Sequence, residues 1–292
     1  MGIQRTGEAE RMAKLAENKY GKSRVRVMKV KRGPKSHELS EWTVQVLLQG
    51  DFESCFTEGD NRKILPTDTM KNTVYSLARN SSANCMEDFA KEMIDFLLSR
   101  NPQVSAAEVN IAEAAWDHMN VNGAPHPTAF VQVGGENQTT HVKKARSDEF
   151  SVASGLDNLV ILKTAGSAFE GYIKDSLTTL RETNDRLFGT ALRAGWTYNA
   201  SKLDFAGLRR KAREALLGAF AGHQSKSVQH TLHEMAAEAL DAVPEIREIE
   251  LVMPNRHCLL FDLSEFGQEN PNEIFVPTDE PHGLIEARIC RE

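Results

Sequence analysis

Residues 227–253 read SVQHTLHEMAAEALDAVPEIREIELVM. Val228, Leu232, Met235, Ala236, Ala239, Leu240 and Val243 recur at the spacing of one helical face, and Pro244 stops the run. A strand-like segment, 246–253, follows at once. Immediately upstream, Leu208, Ala212, Ala215, Leu216, Ala219 and Phe220 fall on one face of another helix. Two consecutive helices argue against the alternating βαβ pattern of a parallel sheet. Ahead of the pair stand Leu159-Val160-Ile161-Leu162 and a strand predicted over 187–198. Behind it come strand-like segments at 257–263, 273–277 and 284–290.

The first half repeats this order. Arg24-Val25-Arg26-Val27 alternates, and Trp42, Val44, Val46 and Leu48 alternate with Thr43, Gln45, Leu47 and Gln49, around the turn residues Arg32-Gly33-Pro34-Lys35. This is the pattern of a β-hairpin. Met70, Val74, Leu77 and Ala78 then mark a helix, with Thr67 or Asp68 as its cap. Met86, Phe89, Ala90, Met93, Ile94 and Leu97 mark the next, with Ser81 and Ser82 as capping candidates. Strands near 104–116 and 127–145 flank Asn122-Gly123-Ala124-Pro125. The chain reads as a tandem ββααββ duplication of α+β class with mainly antiparallel pairing and about six strands per half. The junction falls near 146–155, giving an N-terminal extension over 1–18 and domains over 19–150 and 151–292. No G-x-G-x-x-G or P-loop supports nucleotide binding.

Composition sets outer bounds. A chain of 292 residues, 40% hydrophobic and 26% charged, suits a soluble globular protein of two domains. No apolar run reaches the ~18 residues of a membrane-spanning helix. A net charge of -6 disfavours general nucleic-acid binding but leaves room for a local cationic pocket. Cys55, Cys85, Cys258 and Cys290 form no C-x-x-C pair and read as reduced thiols of a cytoplasmic protein. Met1 to Tyr20 is charged throughout, unlike a signal peptide, and residues 8–19 suit a short lead-in helix.

Several polar groups invite chemistry. His230 and His233 share a helical face without a third ligand nearby, and His118 and His126 flank a turn, so no metal site is expected. Arg209-Arg210-Lys211-Arg213 is basic but lacks interleaved aromatics, and reads as a solvated helix face. Thr67-Asp68 and Val228-Gln229 stand at helix starts, where backbone N–H groups favour an anion. Lys22 precedes the first strand, and Asn255 and His257 interrupt a strand-like run. Taken singly these are a cap, an exposed amide, a surface lysine and a turn histidine.

In order they resemble a family. Tyr20-Gly21-Lys22 and Thr67-Asp68 with Lys71-Asn72-Thr73 are similar to the first half of urate oxidases (uricases). Ser167-Ala168-Phe169, Thr178-Thr179-Leu180-Arg181-Glu182-Thr183 with Asp185-Arg186, Ser227-Val228-Gln229 and Pro254-Asn255-Arg256-His257 are similar to the second. The resemblance runs from Lys19 to Arg288. It implies two tandem T-fold (tunnelling-fold) domains, a barrel closed by subunit pairing, and a homotetramer with active sites at subunit interfaces. It implies oxidation of urate by O2 and water to 5-hydroxyisourate and hydrogen peroxide, with no metal or organic cofactor and no nucleic-acid or membrane partner. Carried over by position, Arg186 and Gln229 clamp the urate anion, Phe169 stacks on it, and the backbone N–H groups of Val228 and Asp68 add hydrogen bonds. Asn255 holds O2 and then water, while Lys22, Thr67 and His257 form a proton relay and Thr67 also binds the substrate. Cys258 and Asn184 depart from the aromatics frequent in relatives, and Ile289-Cys290-Arg291-Glu292 lacks a peroxisomal tripeptide. A non-catalytic purine-binding protein and another purine- or pterin-acting T-fold enzyme are the alternatives.

Overall fold

The computed structural model describes residues 13–291. Its strands are β1 (Tyr20–Arg32), β2 (His37–Gly50), β3 (Val104–Val121), β4 (Ala124–Ala145), β5 (Ser151–Lys163), β6 (Phe188–Tyr198), β7 (Ile246–Leu260) and β8 (Phe275–Cys290). Its helices are α1 (Glu53–Thr57), α2 (Thr67–Asn80), α3 (Met86–Arg100), α4 (Phe205–Gly222) and α5 (Val228–Ala242). The strands form one antiparallel sheet in chain order, β1 to β8, which leaves β1 and β8 as its edges. Among the described residues no helix is long and apolar enough to cross a membrane.

The core lies between the sheet and its helices. Trp42, Val44, Val46 and Leu48 on β2 are buried, as the alternation predicts, and meet Met70, Val74, Phe89, Met93 and Ile94 from α2 and α3. Leu192, Ala194 and Trp196 on β6 and Ile249, Leu251 and Met253 on β7 do the same with Leu216, Leu232, Met235 and Ala239. Each large apolar side chain so buried contributes about 1.5–3 kcal/mol of transfer free energy. The opposite sheet face is more polar: Thr43, Gln45, Asn110, Thr139 and His141 line a depression of about 420 Å³.

The repeat is present with four strands in each half rather than six. The segments 246–253 and 257–263 belong largely to one strand, because the Pro254–His257 break is absorbed by a register shift between Asn255 and His257. The segments 273–277 and 284–290 likewise join as β8. The Asn122-Gly123 turn is tighter than expected. Asn122 (φ 53°) and Gly123 (φ 81°) alone link β3 to β4, in the left-handed conformation this pair favours. The short helix α1 has no counterpart in the sequence reading.

Other expectations need correction. Residues 13–19 are not helical, and the rest of the 8–19 lead-in lies outside the described residues. Thr67 and Asp68 begin α2 instead of capping it; Pro66 holds the cap position and offers no side-chain acceptor. Ser81 ends α2, and Cys85, not a serine, precedes α3. Arg209 is not solvated. Its guanidinium donates to Glu87 of α3 at 2.8 Å, with side chains 5% and 0% exposed, and Ser154 of β5 donates to the same carboxylate. The helical face was counted by apolar residues, so a buried arginine with a partner 122 positions away was invisible to it.

Candidate active site

The segment between β5 and β6 makes little regular structure of its own and is held by backbone bonds. Ala168 N–H donates to Ser225 O at 2.7 Å and Ser225 N–H to Gly166 O at 2.9 Å. Phe169 and Thr183 exchange N–H···O bonds of 2.8 and 3.2 Å, and Ser167 N–H donates to Asp185 Oδ1 at 3.2 Å. These contacts tie Phe169 and Arg186 to the connection that leads into α5, and hence to Val228 and Gln229.

Within this cluster the Arg186 Cζ lies 5.2 Å from the centroid of the Phe169 ring. Tyr172 stacks on that ring, with centroids 4.9 Å apart and planes 14° from parallel. Among the described residues the Arg186 Nε is buried without a hydrogen-bond partner, and burial pushes the guanidinium below its ordinary pKa. A half-buried cation lacking a carboxylate is costly unless an anion completes it.

Ser227 caps α5, its Oγ accepting from His230 N–H at 3.1 Å. Val228 and Gln229 are the first two helical residues, whose N–H groups precede the intrahelical ladder. Val228 is buried and Gln229 exposed. On β7, Asn255 pairs with Thr190 and Arg256 with Gly189, which places Asn255 beside the strand that starts two residues after Arg186. His257 pairs with Thr278, whose hydroxyl donates to the His257 carbonyl at 3.3 Å.

Lys22, Thr67 and Asp68 form a separate group. Lys22 lies on β1 opposite Val46, just before a register shift. Its neighbour Gly21 has no room for a side chain: an added Cβ would sit 1.8 Å from Val46 O. The Tyr20 hydroxyl donates to Leu65 O at 3.1 Å and accepts from Leu65 N–H at 2.9 Å, fastening the approach to α2 against β1. From sequence, only its adjacency to Lys22 points to this role of Tyr20. Asp68 is held below the usual carboxylate range, first by the Lys71 hydrogen bond (2.5 Å) and, among smaller influences, by the charge of Lys22.

The nine residues singled out by the resemblance therefore form two groups within one chain. Lys22 on β1 and His257 on β7 are separated by five strands, roughly 30 Å along the sheet at ordinary inter-strand spacing. Among the described residues no group of three or more His, Cys, Asp or Glu side chains is placed to hold a metal ion. His230 instead packs on His223, ring nitrogens 3.2 Å apart.

The order ββααββ twice in one antiparallel sheet, with helices on one face, defines a tandem T-fold protein. A family model described as uricase matches residues 18–143 and 152–286. The uricase of Arthrobacter globiformis is 39% identical over 278 residues, covering 95% of this chain and 90% of that relative. The uricase of Dictyostelium discoideum is 36% identical over 282 residues, covering 96% and 98%. The crystal structure of the Arthrobacter globiformis uricase superposes with a TM-score of 0.91 at 38% identity, over 97% of this chain and 96% of that one. A urate oxidase from Bacillus sp. TB-90, at 21% identity, shares the fold with a TM-score of 0.83, over 94% and 100%. The chain belongs to the uricase family.

Proposed function

We propose that this chain, as a urate oxidase, converts urate, O2 and water to 5-hydroxyisourate and hydrogen peroxide without a metal or organic cofactor, in an active site shared between subunits. Family membership carries urate oxidation itself. The observation that carries the substrate clamp is Arg186: a half-buried guanidinium against Phe169, with an unpaired Nε and no carboxylate partner among the described residues. A planar urate anion supplies paired acceptors for the arginine fork and for Gln229, and a face for the Phe169 ring. The leading N–H of Val228 adds a donor.

Chemistry begins by removing a further proton from bound urate. The resulting dianion passes two electrons to O2, which leaves with two protons as hydrogen peroxide. Water adds to the oxidised ring. Asn255 holds O2 and then this water, while Lys22, the Thr67 hydroxyl and His257 carry protons. Thr67 both donates and accepts, as a relay requires.

Three features support a shared site in an oligomer. Lys22, Thr67 and Asp68 lie at the β1 end of the sheet and the Arg186 group toward the other, which supports a site completed by a second chain. The long open edges β1 and β8 invite closure with another sheet. Exposed apolar side chains such as Ile173 (95%), Leu177 (86%) and Leu284 (60%) suit burial in a homotetramer. The two T-fold units are assigned to 19–150 and 151–292, after an extension over 1–18, and the cytoplasm is the proposed compartment. The test follows urate absorbance and oxygen uptake by chelator-treated protein whose assembly mass has been measured. Equimolar loss of both by a tetramer is expected. Urate binding without oxygen uptake, or activity abolished by the chelator, overturns the reading.

A further inference from the structure

Six cationic side chains converge on one cavity of about 550 Å³ that Arg186 does not line: Lys29 and Lys31 on β1, Arg79 at the end of α2, and Arg209, Arg210 and Arg213 on α4. In a chain of net charge -6 this concentration needs an account. Half of it is neutralised internally. Arg209 is held by Glu87, Arg213 by both oxygens of Glu136 at 2.8 and 2.7 Å, and Lys31 by Glu38 at 3.3 Å. The remaining cations are not neutralised. Among the described residues Lys29 donates only to the Ser81 carbonyl at 3.1 Å, and Arg79 and Arg210 have neither an ion pair nor a side-chain hydrogen bond. The one other lining carboxylate, Glu113, accepts from the Trp42 indole at 2.8 Å.

We propose that this cavity is a binding site for a compact polyphosphate anion. Three unneutralised cations from three different elements ask for several negative charges spread over a few ångströms, which a single small anion does not supply. Arginine forks match phosphate oxygens in pairs, and Lys29 adds a point charge. The volume lies within the usual range for small-molecule sites, and is ample for a chain of two or three phosphates. The exposed Lys31–Glu38 pair costs little to rearrange and adds a further cation when the ligand arrives. Because the walls come from α2 and β1 on one side and α4 on the other, the ligand bridges the helix layers of the two halves. It stabilises the folded chain by an amount that grows with the logarithm of ligand concentration over Kd.

Calorimetric titration of the full-length protein with inorganic tripolyphosphate, and separately with a nucleoside triphosphate, at fixed ionic strength and without divalent cations, tests the site. Saturable 1:1 binding per chain with a raised Tm is expected. The double variant Arg79→Gln/Arg210→Gln should weaken it at least ~10-fold while urate oxidation persists. Arg100→Gln, at the far end of α3, should bind like wild type. Equal affinity for the two ligands assigns recognition to the phosphates alone, and a tighter nucleotide adds a contact from its base. Absence of saturable binding, or unchanged affinity in the folded double variant, overturns the proposal.

Discussion

The Arg186 guanidinium carbon lies 5.2 Å from the Phe169 ring centroid, while its Nε is buried with no partner among the described residues. The residue is thus set against a flat apolar surface with part of its hydrogen-bonding capacity unused. Arg186→Ala should raise KM and lower kcat/KM by ~10²-fold or more, since each charge-assisted bond lost costs about 1.5–3 kcal/mol. Arg186→Lys should recover little, because an ammonium lacks the fork. Steady-state kinetics with urate check both, and a lysine variant with wild-type KM contradicts the clamp.

At the other end of the sheet, Lys22→Met and Thr67→Ala should lower kcat by ~10²-fold, the signature of lost proton transfer, with KM little changed in the lysine variant and raised in the threonine one. Tyr20→Phe removes no group from the relay but frees both Leu65 backbone groups, so turnover should fall only severalfold, with a lower Tm. A Tyr20→Phe variant as impaired as Thr67→Ala would mean that the hydroxyl itself takes part in the reaction.

The buried Glu87–Arg209 pair joins α3 to α4. Arg209→Met leaves the carboxylate unpaired in the core and should cost about 3–5 kcal/mol. Adding Glu87→Gln removes the stranded charge and should restore part of the loss. Denaturant unfolding of both variants measures this, and a single variant within 1 kcal/mol of wild type would deny the pair a structural role.

His141 and His223 are both held below the usual histidine range, in each case chiefly by burial. Neighbouring charges act as well: Glu108 raises His141 while Lys143 and Lys19 lower it, and His230, Lys163 and Lys226 lower His223 while Glu234 raises it. A depressed folded-state pKa means that the unfolded chain binds more protons as pH falls below about 6.5. Stability from these groups is therefore present above that pH and lost as pH falls toward their folded values. Melting temperature against pH from 5 to 8 should decline on the acid side, with a shallower slope in His223→Asn. An unchanged slope in that variant would assign the acid loss to other groups.

How much of this was legible beforehand depends on the physics of each feature. The helical faces of α2, α3, α4 and α5 were readable because burial imposes a 3.6-residue period that Met70, Phe89, Leu216 and Met235 obey. The unity of β7 was not, because strand continuity depends on backbone pairing with β6 and β8 and survives a polar break that side-chain patterns treat as an end. The candidate site residues rest on ordered resemblance. Their division between two ends of the sheet follows from strand order, which no local pattern encodes. Arg209 was misread because charge was equated with solvent.

The distance between Lys22 and Arg186 bears finally on inheritance. On the proposed shared site, a chain lacking Lys22 and a chain lacking Arg186 are each inactive alone, yet in a mixed assembly some interfaces receive their Lys22 from one parent and their Arg186 from the other. Co-expression of the two defective alleles would then rescue activity that neither possesses, and the pair would behave as complementing mutations within a single gene.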